Sequence, residues 1–328
     1  MEKMKAVVVS GYGGPEVLDI KTVDKPEPKE DEILIKIAAT AITAASTFMR
    51  EGRPLFGRLF TGLMNPKVKT PGTDLVGTVE AVGSKVEHFN VGDHVLAETG
   101  LGCGAYAEYI CLNANDLIIG KPNNLTPEEA TGILDGACTA LAFFTDIVKI
   151  EKHQKVLVNG ASGSIGTAAV QLAKIFGAEV TAMTSGKNKQ LVEAIGADHV
   201  LDYTEHDLSY NQIKYDVIFD TVGKLSFYNV KKHLNTKGVF LTPVLKLSTI
   251  FTMMFITPFM RKKLKFSATG LRKLNQRKRD LLLVVDMLAQ KELTTVIDKV
   301  FPFKDVQKAH EYVGTGRKIG NVILKVTE

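Results

Sequence analysis

From residue 1 to about residue 122, apolar positions come in short runs broken by glycine. Residues 6–9 and 33–37 run apolar or alternate, and residues 74–82 and 94–97 are β-rich between Gly72, Gly83 and Gly92. Residues 105–111 (AYAEYIC) alternate again. Short strands with regular turn signals predict a sandwich or a partly open barrel. The texture changes at residues 121–124 (KPNN). Thr126, Pro127 and Glu129 then stand as N-cap, first helical position and third, a capping-box start. Strands are predicted at 155–159, 179–183, 199–201, 216–220, 238–241 and 264–268, with helical segments between most of them. That alternation predicts a doubly wound parallel α/β sheet. Residues 273–290 read as a helix with an apolar stripe at Leu281, Leu282, Val285 and Leu288, and β texture returns at 296–300 and 321–326. A returning tail rejoins the first domain, so the expected division is 1–122 with 271–328 against an inserted 123–270.

Composition narrows the function classes. The 328 residues carry a net charge of +5, with no Lys/Arg block of the kind that makes a nucleic-acid tail. This balance suits a small anionic molecule, and no nucleic-acid partner is expected. Cys103, Cys111 and Cys138 form no CxxC pair, which argues against a disulfide framework and a four-cysteine zinc site. The N-terminus lacks the apolar core of a signal peptide, so a reducing, cytoplasmic setting is the expectation. Residues 247–260 (LSTIFTMMFITPFM) carry no charge but are shorter than the roughly 20 apolar residues that span a bilayer. They are expected to form a buried or lid-forming helix, without membrane contact.

Residues 155–177 (KVLVNGASGSIGTAAVQLAKIFG) carry the sharpest signal. An apolar strand ends at Asn159. Gly160, Gly163 and Gly166 follow at three-residue spacing, and a helix over 167–176 stops at Gly177. The glycines allow a tight turn, close backbone approach to a pyrophosphate and close helix–strand packing, and the helix N-terminus adds partial positive charge. A strand before and a helix after make this a dinucleotide loop, spaced GxxGxxG rather than GxGxxG. An NAD site places an acid at the end of the next strand to bond the ribose 2′-OH. Here Thr184, Ser185, Lys187, Asn188 and Lys189 occupy that region, and no acid follows until Glu193. Hydroxyl and ammonium groups suit a 2′-phosphate, so the expected cofactor is NADPH.

The chain also resembles the medium-chain dehydrogenase/reductase superfamily in its zinc-free, quinone-reductase-like branch. The carriers are GGPEVL at 13–18, PGTDLVGTV at 71–79, VGDHV at 91–95, GAYAEY at 104–109, the glycine loop, and IGADHV at 195–200 before Asp202 and Tyr203. The resemblance implies a GroES-like, partly open β-barrel catalytic domain, an inserted Rossmann domain, a cofactor cleft between them, and a homodimer. It also implies cofactor contacts at Thr139, Gly160, Ala161, Ser162, Gly163, Ser164, Ile165, Gly166, Thr184, Ser185, Lys187, Asn188, Tyr203, Val222 and Asn321. At the catalytic zinc positions of metal-dependent relatives this chain aligns Thr43, Thr73 and Asp135, a poor zinc set, so no metal is expected. Where the branch often reads Asn-x-x-Asp, residues 43–46 read Thr-Ala-Ala-Ser.

Without a metal to polarise a carbonyl, reduction of a quinone or an activated C=C is the favoured chemistry, because the developing charge is delocalised. Thr43 and Ser46 are candidate donors to the acceptor oxygen. Asp135, expected beside a helix start, is either a proton donor with a raised pKa or an N-cap. Two other readings stay open: a zinc-free NADPH-dependent carbonyl or alcohol oxidoreductase, and a non-catalytic NADPH-binding sensor.

Overall fold

The computed structural model describes residues 2–210 and 212–327, which fall into two compact units. The first takes in the chain up to Asp135, Lys273–Ala289, and the chain from Thr295 onward. The second takes in Gly136–Arg272 and Gln290–Thr294. The first division thus lies beyond the expected residue 122, inside the Pro127–Ala142 helix. The reason is local bonding: the Thr131 hydroxyl donates to the Ala39 carbonyl (3.4 Å), and Thr295 donates to the Glu129 carbonyl (2.8 Å).

In the first unit, β1 (Lys3–Val9) and β2 (Leu18–Asp24) form an antiparallel ribbon. After it come β3 (Glu32–Ile42), β4 (Asp74–Val82), β5 (His94–Glu98), β6 (Tyr109–Asn113) and β7 (Leu117–Gly120). The second unit contributes β8 (Lys155–Asn159), β9 (Glu179–Thr184), β10 (His199–Asp202), β11 (Tyr215–Asp220), β12 (Leu234–Thr242) and β13 (Lys263–Phe266). The tail supplies β14 (Ile297–Pro302) and β15 (Asn321–Lys325).

The barrel sheet runs β14-β15-β3-β4-β5-β7, with β6 also on β3. Alternation places Ile33, Ile35 and Ile37 inward with Leu75, Val79 and Val95. The second sheet runs β10-β9-β8-β11-β12-β13 with every pair parallel, and buried Val156, Leu157, Val158, Ile218 and Phe219 explain its near-continuous apolar strands.

Three local expectations need correction. The alternating run at 105–111 becomes regular strand only at Tyr109. The amides of Gly104, Ala105 and Tyr106 donate instead to the carbonyls of Thr70, Gly72 and Pro71. In the Leu274–Ala289 helix, Val284 is buried and Leu282 is half exposed, so the inward stripe is Leu281, Val284, Val285 and Leu288. Residues 247–260 form no buried helix. A short helix (Leu247–Phe251) runs into wider and tighter turns, with Thr252 and Thr257 inward and Leu247, Phe251, Phe255 and Phe259 outward at four-residue spacing.

Candidate active site

The glycine loop begins where β8 ends. Gly160 has φ +76°, and a Cβ there would lie 2.7 Å from Val222 Cγ1 and from Thr221 Oγ1. At Gly166 a Cβ would lie 2.0 Å from the Gly160 carbonyl oxygen, so this glycine lets the helix seat on the loop. Gly163 is the N-cap of the Ser164–Ile175 helix and supplies no side-chain cap. A Cβ there would meet only the Gly160 oxygen, at 3.4 Å. An uncapped helix start beside a glycine cradle fits a pyrophosphate. Gly136 on the Pro127–Ala142 helix allows close approach to this start, since a Cβ would fall 2.8 Å from the Ser164 carbonyl.

Four of the predicted residues meet around Asn188. Its Nδ2 donates to Ser162 Oγ (2.9 Å) and Ser185 Oγ (3.3 Å), and Thr184 Oγ1 donates to Ser162 Oγ (2.9 Å). Lys187 is exposed beside them, whereas Lys189 pairs with Glu193 at 3.8 Å. Tyr203 and Val222 are both about half exposed. Thr139 is buried and shares a hydrogen bond with Thr269 (3.0 Å). Asn321 donates to the Val296 carbonyl (3.0 Å) in the first unit.

Sequence reading missed two anchors here. Asp202 belongs to β10, and a Cβ at Gly186 would lie 2.2 Å from its Oδ2. Its carboxylate is held below the usual range by the Thr204 hydroxyl and amide, at 2.7 and 2.8 Å. Asp220 is fully buried and accepts from Asn159 Nδ2 (2.8 Å) and the amides of Gly223 (3.0 Å) and Leu225 (2.7 Å). Burial still raises its pKa against those donors. The signal was present: Asn159 and Asp220 are polar residues that end the apolar runs 156–158 and 217–219, in register.

In the first unit, Thr43 caps the Ala44–Glu51 helix. Its Oγ1 accepts the Ser46 amide (3.0 Å), and Ser46 Oγ donates to the Thr43 carbonyl (2.8 Å). The Ser46 proton is therefore committed to the cap, which counts against Ser46 as a donor to a substrate, and Thr43 is buried behind it. Ser46, Met49, Arg50, Thr73, Leu101 and Cys103 are among the residues lining a largely apolar pocket of about 190 Å³. Arg50 is buried, with Nη2 2.9 Å from Glu51 Oε1. Its Nε and Nη1 make no hydrogen bond among the described residues. Burial and this guanidinium push His310 down to about 3, so its imidazole is neutral at physiological pH.

Asp135 lies within the Pro127–Ala142 helix and is not an N-cap. That role belongs to Thr126, whose Oγ1 accepts the Glu129 amide (3.2 Å). Burial raises the Asp135 pKa against the pull of Lys318. Asp74, buried with Oδ2 unbonded among the described residues, is pushed well above the carboxylate range by burial and by Asp135 and Glu98. Glu98 pairs with Arg277 at 2.7 Å. Lys318 is pushed from 10.5 down to about 8 by burial, against Asp135 and Asp298. Between those values the unfolded chain binds the extra proton, so stability rises with pH. Urea unfolding should show that rise between pH 8 and 10.5, and Lys318→Met should flatten it.

A β-barrel unit and, in the same chain, a parallel sheet of order 3-2-1-4-5-6 with a glycine cradle at its first crossover define a medium-chain dehydrogenase/reductase. Residues 29–123 match the alcohol dehydrogenase GroES-like domain, and residues 195–324 match the zinc-binding dehydrogenase family. Among the described residues, no group of three or more His, Cys, Asp and Glu is placed to hold a metal. The chain is 32% identical to the chloroplastic quinone-oxidoreductase homolog of Spinacia oleracea over 98% of both chains. It is 30% identical to the chloroplastic NADPH-dependent alkenal/one oxidoreductase of Arabidopsis thaliana, over 98% of this chain and 80% of that one. The quinone oxidoreductase structure from Coxiella burnetii superposes with a TM-score of 0.87 at 26% identity, covering 99% of this chain and 100% of that one. The chain belongs to the quinone-reductase-like branch of the superfamily.

Proposed function

We propose that this protein is an NADPH-dependent reductase of quinones and of C=C bonds activated by a carbonyl. One observation carries the reading. After β9 the chain gathers the hydroxyls of Ser162, Thr184 and Ser185 around Asn188, with Lys187 exposed beside them and no acid closing the strand. Such groups match a 2′-phosphate through charge-assisted hydrogen bonds. The relatives' names support the acceptor class, and the Arabidopsis one also supports the nucleotide.

When bound, NADPH supplies hydride. The amides at the start of the Ser164–Ile175 helix would hold its pyrophosphate, and Lys187 would hold its 2′-phosphate. The chain's own groups have two further tasks. Reduction of the acceptor builds negative charge on its oxygen, which the buried charge of Arg50 in the pocket wall is suited to meet. A proton must also be delivered, and Asp135 is the candidate because burial favours its protonated form. Asp135 loses that proton as pH rises, so turnover depending on it falls with rising pH. Asp135→Asn should remove this falling limb from the pH–rate profile. A profile identical to the wild type would take Asp135 out of the mechanism.

Steady-state assays with quinones, enones and aldehydes test the reading. Quinones and enones should turn over with NADPH and exceed the aldehydes. Aldehyde turnover alone would favour the carbonyl reductase, and tight NADPH binding without any turnover would favour the sensor. We also infer a homodimer, supported by the outward stripe Leu247, Phe251, Phe255 and Phe259 and by β13 at the sheet edge. Sedimentation analysis checks it. A cytoplasmic location is proposed on the cysteine spacing, and fractionation tests it.

A further inference from the structure

The acceptor pocket has an unusual wall. Between Glu51 and Asp74 the chain contains no acid, but it contains Arg53, Arg58, Lys67 and Lys69. The same stretch exposes large apolar side chains: Leu55 is 72% exposed, Leu59 65%, Leu63 67% and Met64 85%. Its later part, including Thr61, Pro66 and Val68, lines the pocket.

This outward display is held in place. The Tyr12 hydroxyl donates to the Gly62 carbonyl (2.6 Å). The Arg58 guanidinium lies 4.4 Å from the Tyr12 ring centre, and its Nε donates to the Gly52 carbonyl (3.0 Å). Gly62, at φ +121°, makes the bend, and a Cβ there would lie 2.0 Å from the Asn65 carbonyl. A loop of this kind would ordinarily be polar or would fold its leucines inward. Here the strap fixes the backbone while the leucines point to solvent.

We propose that residues 53–69 dock the protein on an anionic membrane surface, so that lipid-dissolved acceptors reach the pocket. This departs from the expectation of no membrane contact and rests on the acceptor class proposed above. Exposed apolar side chains flanked by cations, with no acid among them, are the signature of an interfacial segment. Each Lys or Arg near an anionic leaflet adds attraction that salt screens. A second copy of the chain is a poorer occupant. A two-fold interface through this segment would bring together two copies of the same cationic stretch, with no acid in it to pair Arg53, Lys67 or Lys69.

The test uses the full-length protein and co-sedimentation with phosphatidylcholine vesicles, with or without about 30% phosphatidylserine. The wild type should bind the anionic vesicles about tenfold more tightly than neutral ones and be released by salt. Two variants, Leu59→Ser/Leu63→Ser/Met64→Ser and Arg53→Gln/Lys69→Gln, should each lose about tenfold of that binding. Both should keep the circular dichroism spectrum, NADPH titration and turnover of a short-chain, water-soluble quinone. Turnover of a long-chain quinone carried in vesicles should fall. The proposal is overturned if the wild type stays in solution with anionic vesicles, if both variants bind as the wild type does, or if the triple variant only changes the oligomeric state. Vesicle binding without nucleotide binding would instead overturn the reductase reading and leave the docking surface standing.

Discussion

Gly166→Ala is expected to lower stability by about 3 kcal/mol and to remove tight nucleotide binding. The added methyl would lie 2.0 Å from the Gly160 carbonyl oxygen and 2.7 Å from Ala161 Cα. Both neighbours are backbone, so no rotamer change relieves the contact. The Ser164–Ile175 helix would have to lift from the loop, carrying its first amides away from the pyrophosphate position. Gly160 cannot yield, because its φ of +76° and the nearby Val222 fix it from the other side. Chemical denaturation and nucleotide titration of the same variant measure both effects. Gly163→Ala is the control: its Cβ would meet only the Gly160 oxygen at 3.4 Å, so it should be the milder of the two.

Lys187→Glu is expected to reduce kcat/KM for NADPH about a hundredfold while changing that for NADH by less than about threefold. The lysine is exposed and lies one residue from Asn188, which organises the neighbouring hydroxyls. Exposure limits its worth to the folded protein, so the variant should fold normally. Reversing its charge replaces attraction for the 2′-phosphate with repulsion, a difference that NADH, lacking the phosphate, does not feel. Equal losses with both nucleotides would place Lys187 outside the cofactor site.

Much of the second unit was legible because its strands are buried on both faces. The runs at 155–159 and 216–220 read as strands without any period to interpret, and the observed β8 and β11 cover them. β2 escaped because its apolar alternation stops after Leu18 and Ile20, and of its residues only Leu18 is buried. The outward face of 247–260 was illegible for a different reason. Apolar content marks a surface that avoids water, but it does not say whether the protein itself or a partner covers it. The candidate site divides in the same way. Glycines and hydroxyls close together in sequence announced the nucleotide loop. The electrostatic pull between Asp135 and Lys318 and the Tyr12–Arg58 strap join positions far apart in the chain, so no local pattern encoded them. Ser46 was read as a donor because its type allows it, but only the folded helix start showed its proton already given to Thr43.

The most direct measurement is a fluorescence titration of the purified protein with NADPH and, separately, with NADH. Saturable binding, with NADPH held at least about tenfold more tightly, is the predicted outcome, since one charge-assisted contact to a 2′-phosphate contributes that much. Equal affinity for the two nucleotides, tighter binding of NADH, or no binding of either would contradict it.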